Sequence, residues 1–99
     1  MIGRVISNHE VAPDIFLLTF HSPAVAAFCQ PGNFLMVRVC DGTSPLLRRP
    51  LSVHDVMGEE VSLLFEVRGE GTRCLSTFRS GQEIDVLGPL GNSFPTVVG

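Results

Sequence analysis

What limits this chain most is a two-residue rhythm of apolar side chains, repeated in short segments that turn residues separate. Extended backbone carries that rhythm, because successive side chains point to opposite faces of a strand. Phe16, Leu18 and Phe20 share one face of a strand expected over 14–21. Leu35, Val37 and Val39 share one face of another, which follows the turn Pro31-Gly32-Asn33 and sets Met36 and Arg38 opposite. Val61, Leu63, Phe65 and Val67 repeat the pattern after Gly58, and shorter candidates cover 3–7, 51–56 and 83–87. Six short strands in 99 residues imply a mainly β fold, a closed or nearly closed antiparallel barrel of six strands that buries one face of each strand and limits open edges. One segment departs from the rhythm. Thr72 is placed to cap a helix running through Arg79, with Cys74 and Phe78 four apart, Leu75 alongside and Gly81 to end it. The expected architecture is therefore a barrel with one short helix.

Ninety-nine residues suit one domain, 1–99, with a single core and no room for a second nucleotide-binding domain. The share of hydrophobic residues is 44% and of charged residues 17%, which leaves unusually little charged surface and some apolar surface to meet a partner. A net charge of −3 would repel a phosphodiester backbone, so no nucleic-acid partner is expected. No apolar run approaches membrane-spanning length and no leader opens the chain, so it is expected to be cytoplasmic and to have no membrane partner. Cys29, Cys40 and Cys74 are odd in number and far apart, which fits reduced thiols rather than disulfides, and no clustered Cys/His pattern points to a metal. Gly88-Pro89-Leu90-Gly91-Asn92 reads as a rigid turn cluster, and Pro95-Thr96-Val97-Val98-Gly99 as the opening of a strand that stops, as in a fragment of a larger protein.

Chemistry concentrates in two places. In Arg48-Arg49-Pro50-Leu51-Ser52-Val53, Pro50 removes a donor and biases Arg49 to extended geometry, and alternation sets Arg49 and Leu51 on one face and Ser52 on the other. Such a strand offers a phosphate fork and a hydroxyl, but the hexapeptide by itself reads first as a strand with two solvated arginines and a Pro at its edge. In Arg68-Gly69-Glu70-Gly71-Thr72, at the start of the expected helix, glycines allow close backbone approach and unpaired amides welcome a phosphate; a plain glycine turn with a Thr cap has the same sequence. His9, His21 and His54 have no carboxylate or cysteine at ligand spacing, the pair Glu59-Glu60 reads as a solvated corner, and Ser52, His54 and Asp55 on one strand do not form a nucleophile array.

Arg49-Pro50-Leu51-Ser52, then Gly69-Glu70-Gly71-Thr72, then Gly88-Pro89-Leu90-Gly91-Asn92, together with Pro31-Gly32-Asn33-Phe34-Leu35-Met36-Val37, resemble in order the FAD-binding domain of the ferredoxin-reductase superfamily, and within it the electron-transfer subunit of dihydroorotate dehydrogenase. The resemblance runs over essentially the whole chain and implies a six-stranded antiparallel Greek-key barrel with one short helix, the ferredoxin-reductase-type FAD-binding barrel. It implies that Arg49 pairs with the FAD pyrophosphate, that Pro50 and Leu51 lie against the isoalloxazine and ribityl portions, and that Ser52 hydrogen-bonds near flavin N5. It further implies that backbone at Leu64, Phe65 and Glu66 lines the cofactor, and that Gly71 and Thr72 hold the second side of the pyrophosphate. No catalytic residue and no metal ligand is implied in this chain.

The same resemblance implies an FAD-dependent oxidoreductase of pyrimidine biosynthesis. Electrons would move between an iron–sulfur cluster and NAD, both held by C-terminal portions that this chain lacks, and its partner would be the catalytic dihydroorotate dehydrogenase subunit. The chain alone is then expected to be inactive, and exposed apolar surface could make it a homodimer. Leu51 stands where many relatives have Tyr, and Glu66 where they have a basic residue, a carboxylate that would repel phosphate if it faced it. Alternatives in the same fold are the FAD domain of an NADH-linked ferredoxin or sulfite reductase and a flavin-free interaction barrel. An oligonucleotide- or oligosaccharide-binding barrel ranks last, because the chain has seven Phe but no Trp or Tyr. FAD and FMN are not separated by the residues alone.

Overall fold

A computed structural model of the chain describes residues 1–39 and 48–90. Six strands, β1 (Ile2–Ala12), β2 (Ile15–His21), β3 (Phe34–Arg38), β4 (Arg48–Met57), β5 (Glu60–Glu66) and β6 (Glu83–Leu90), close a barrel in the order β1-β2-β5-β4-β3-β6, every pairing antiparallel. This is the barrel expected from the alternation. Leu18, Phe20, Leu35, Val37, Val61 and Leu63 are fully buried inside it, each worth about 1.5–3 kcal/mol of transfer free energy. Phe16 packs on that core and stacks on Phe65, directly opposite on β5, with ring centroids 5.7 Å apart.

The helix count differs from expectation. Besides α2 (Glu70–Leu75) there is a short α1 (Pro23–Ala26). The two helices lie in the two connections, β2 to β3 and β5 to β6, that join strands which are not neighbours in the barrel. Neighbours need only a tight turn, whereas a crossing of the barrel end needs length. In α1 the Ser22 hydroxyl accepts from the Val25 amide at 3.3 Å and Pro23 occupies the first turn, a start signal that the sequence carried.

In α2 the boundaries move. Its N-cap is Gly69 rather than Thr72, and it stops at Leu75 rather than Arg79. Thr72, one turn inside, still serves the helix start: its Oγ1 accepts from the Arg68 amide at 2.8 Å and the Gly69 amide at 3.2 Å. The early stop has a local cause. Hydroxyls of Ser76 and Thr77 donate back to the carbonyls of Arg73 and Cys74, both at 2.6 Å, and so compete with continued helix. Asn8 of β1 donates from Nδ2 to the carbonyls of Leu75 and Phe78 at 3.1 and 3.0 Å, fastening that end to the barrel.

Gly88, Pro89 and Leu90 form the end of β6 rather than a turn. Pro lacks a ladder donor, and the β3–β6 pairing absorbs it with an irregularity between Phe34 and Met36, where Gly88 adopts φ 128. Gly91, Asn92, the strand expected from Pro95 and Cys40 lie outside the described residues.

Candidate functional site

The site is built where β4 changes partner. From Arg48 to Ser52 it pairs with β3, and from Val53 to Met57 with β5. On the other side, Leu64, Phe65 and Glu66 pair with Leu17, Phe16 and Ile15 of β2. Among the described residues no ladder pair joins 48–52 to 64–66, so the barrel wall parts into a seam edged by backbone from both strands. β4 also bulges between Val53 and Asp55, a device that bends strands at barrel openings.

Side chains along the seam follow the alternation. Leu51 is turned into the barrel, 8% exposed and opposite Leu35, while Pro50 and Ser52 are exposed on the outer face. Leu51 is therefore a core residue, and only its backbone edges the seam. Phe65 likewise points inward, whereas Leu64 and Glu66 point out. The Glu66 carboxylate accepts from Arg68 Nε at 2.9 Å, so its charge is balanced locally.

Arg48 and Arg49 prove to be chemically different. Arg48 bonds to Asp85 Oδ1 at 3.3 Å and to the Met36 and Asp85 carbonyls at 3.5 and 3.4 Å, which ties β4 to β6 across β3. It is a structural residue, not a solvated one. The Arg49 side chain makes no hydrogen bond or ion pair with any described residue. Its side chain leans over the first turn of α2: a β-carbon added to Gly71 would stand 3.2 Å from Arg49 Nε, 3.6 Å from Arg49 Cγ and 2.9 Å from Val39 Cγ2. Only glycine leaves that space. Thus the sequence elements Arg49 and Gly71-Thr72 meet at one end of the seam, with Ser52 further along its β4 edge.

The Thr72 hydroxyl, with two amides donating to it and a return bond to the Gly69 carbonyl at 3.3 Å, is committed to the helix start. What the turn presents to a ligand is backbone: the amides of the first helical residues have no partner inside the helix. A guanidinium with no partner among the described residues, amides with none inside the helix, and a space that a β-carbon would fill suit a phosphate group. A separate cleft of about 370 Å³, lined by Arg38, Phe78, Gln82 and Glu83 among others, contains none of these residues.

His21 stands on an exposed corner, with its Nε2 3.1 Å from Glu59 Oε1. Among the described residues no group of three or more His, Cys, Asp or Glu could hold a metal, and no helix is long and apolar enough to cross a membrane.

No family model matches the chain. It is 47% identical over 93 residues to the dihydroorotate dehydrogenase B (NAD(+)) electron transfer subunit of Bacillus velezensis, covering 92% of this chain and 36% of that protein. It is 43% identical over 97 residues to the subunit of the same description from Bacillus pumilus, covering 95% of this chain and 38% of that one. The chain thus spans little more than a third of the length of these relatives. Among solved structures, an NADH-dependent reduced ferredoxin-NADP oxidoreductase, described for flavin-based electron bifurcation, matches with a TM-score of 0.82 and 31% identity over 96% of this chain and 34% of that one. A siderophore-interacting protein from Acinetobacter baumannii shares the fold, with a TM-score of 0.72 and 15% identity over 96% of this chain and 42% of that one.

Proposed function

Since the chain is a homologue of the dihydroorotate dehydrogenase B electron-transfer subunits and carries a ferredoxin-reductase-type barrel, we propose that it is their flavin-binding domain, with FAD lying along the seam. When bound, FAD supplies the redox chemistry, and the chain supplies binding, orientation and electrostatics. Arg49 holds the pyrophosphate from one side, and the backbone amides at Gly71 and Thr72 hold it from the other. Ser52 presents its hydroxyl to flavin N5, Pro50 lies against the ring system, and the backbone of Leu51, Leu64, Phe65 and Glu66 lines the seam. In the intact assembly the iron–sulfur cluster and the NAD site belong to portions of the longer subunit beyond this barrel, electrons pass onward from a catalytic dihydroorotate dehydrogenase subunit, and the location is the cytoplasm.

One observation carries this reading: the Arg49 side chain, without a partner among the described residues, lies over a glycine that has no room for a side chain, at the mouth of a seam. Its test is an FAD titration of the 99-residue chain followed by flavin fluorescence and Tm, with Arg49→Ala and FMN alongside. FAD should bind saturably and raise Tm; FMN, with one phosphate, should bind more weakly; and Arg49→Ala should lose about 10- to 100-fold in affinity, the worth of one charge-assisted contact. A chain that neither binds FAD nor gains stability from it would instead be a flavin-free interaction barrel.

A further inference from the structure

Arg38 carries a charge that no described residue answers. It alternates with the buried Val37 and Val39 and so stands on the outside of the barrel, directly opposite Arg48 on β4. Its side chain is half-buried, with Nε shielded from solvent and without a hydrogen-bond partner, and it forms no ion pair with any described residue. The Asp85 carboxylate, which borders the same cleft, is committed elsewhere: its Oδ1 takes Arg48 Nη2 at 3.3 Å and lies 3.9 Å from the Met1 ammonium. A guanidinium donor that is shielded from water and unpaired costs stability, and its place beside a cleft points to a ligand.

That cleft, of about 370 Å³, also takes walls from Ile2 of β1, from Glu83 and Asp85 of β6, and from Phe78 and Gln82 between α2 and β6. Its volume is that of a small-molecule site rather than of a single water. We propose that it binds a small organic monocarboxylate, held by the Arg38 guanidinium and seated with its apolar body against Phe78 and Ile2. The planar guanidinium matches a carboxylate with two parallel donors. Gln82 supplies another: its Oε1 accepts from the Arg79 amide at 3.1 Å, and its Nε2 has no partner among the described residues. Charge sets the ligand class. Arg38, Arg48 and the Met1 ammonium outweigh Asp85 and Glu83, so one negative charge is welcome. Glu83, exposed and without an ion pair to any described residue, repels a second, which disfavours a phosphate dianion. No residue of the seam lines this cleft, so the inference stands apart from the flavin reading.

The test is titration of the isotope-labelled 99-residue chain with sodium benzoate, read by NMR at the Arg38 Nε–H, which is assigned through bonds to its own backbone. A ligand of this size is expected to bind with a Kd of about 1 mM, and the Arg38 signal should shift saturably. Benzamide, with the same ring and no charge, should bind at least about tenfold more weakly, and Arg38→Gln should weaken benzoate by a similar factor. Arg49→Ala should bind benzoate within about twofold of the parent chain, because the two guanidinia serve different sites. Phenyl phosphate should bind more weakly than benzoate. An Arg38 signal unmoved at about 20 mM benzoate, well above that Kd, would overturn the inference. So would benzamide binding as tightly as benzoate, or loss of benzoate binding in Arg49→Ala, which gives the anion to the seam. Phenyl phosphate binding as tightly as benzoate would overturn the ligand class. If Arg38→Gln does not fold, the parent chain's Arg38 shift with benzoate and with benzamide decides.

Discussion

Gly71→Ala puts a methyl group where Arg49 and Val39 already stand. The new carbon would lie 2.9 Å from Val39 Cγ2 and 3.2 Å from Arg49 Nε. Val39 is fully buried and β-branched, with little rotamer freedom, so it yields poorly. Two effects oppose each other. Alanine gains about 1 kcal/mol over glycine inside a helix, whereas an extra methyl in a packed site costs about 1–3 kcal/mol. The balance is a loss of about 0–2 kcal/mol, and each kcal/mol lowers Tm by about 4–8 °C in a domain of this size. Arg49 is the neighbour that can move. Its guanidinium should swing away from the first turn of α2, and FAD affinity should then fall about tenfold, or about 1.4 kcal/mol. Thermal melting without ligand reads the first effect, and FAD titration well below both melting temperatures reads the second. A variant with a raised Tm and unchanged FAD affinity would mean that helix propensity alone governs position 71, and the close-approach account would be wrong.

Arg48→Ala should do the reverse of Arg49→Ala. It breaks a partly buried ion pair with Asp85 and so should cost about 1–2 kcal/mol in chemical denaturation while leaving FAD affinity within about twofold; a large loss of affinity with no loss of stability would exchange the roles assigned to the two arginines. Thr72→Val strands the Arg68 and Gly69 amides and should cost about 1–2 kcal/mol, whereas Thr72→Ser should recover most of it in the same unfolding assay. Burial pushes the Cys29 thiol above its ordinary value of 9.0. The folded chain then keeps the proton that the unfolded chain releases, so this contribution to stability is complete below 9.0 and is lost as pH rises beyond it. Denaturant midpoints at about pH 8 and about pH 10 should differ more in the parent chain than in Cys29→Ala, and equal differences would remove Cys29 as the cause.

The barrel was legible because alternation is local: a residue such as Leu18 or Leu63 declares its face through neighbours two positions away. β1 and β6 run longer than expected because His9 to Ala12 and Gly88 to Leu90 break the alternation, yet remain extended through pairing with β2 and β3. α1 had a readable start in Ser22-Pro23 but too few residues to show a helical period. In the site, the meeting of Arg49 with Gly71 was anticipated from ordered motifs. The division of labour between Arg48 and Arg49 was not, since the partner that claims Arg48 stands 37 residues away on another strand. Leu51 shows the opposite limit: its place in a motif drew it toward the cofactor, while its parity with Val53 turns its side chain into the core.

Closure of the barrel by β1 and β6 also governs when the barrel can finish folding. The Met1 ammonium reaches the Val86 carbonyl at 2.8 Å across 85 residues, and β1 borders β6 through Ile2, Gly3 and Arg4. During synthesis β1 and β2 can form their hairpin early, yet the outer edge of β1 must wait for a strand made some four-fifths of the chain later. For that interval it is an unpaired edge beside exposed Ile2 and Ile6, open to any other extended segment. Slow translation through 60–90 would lengthen the wait, so the speed at which the second half is made bears on how much of the first half is lost to aggregation.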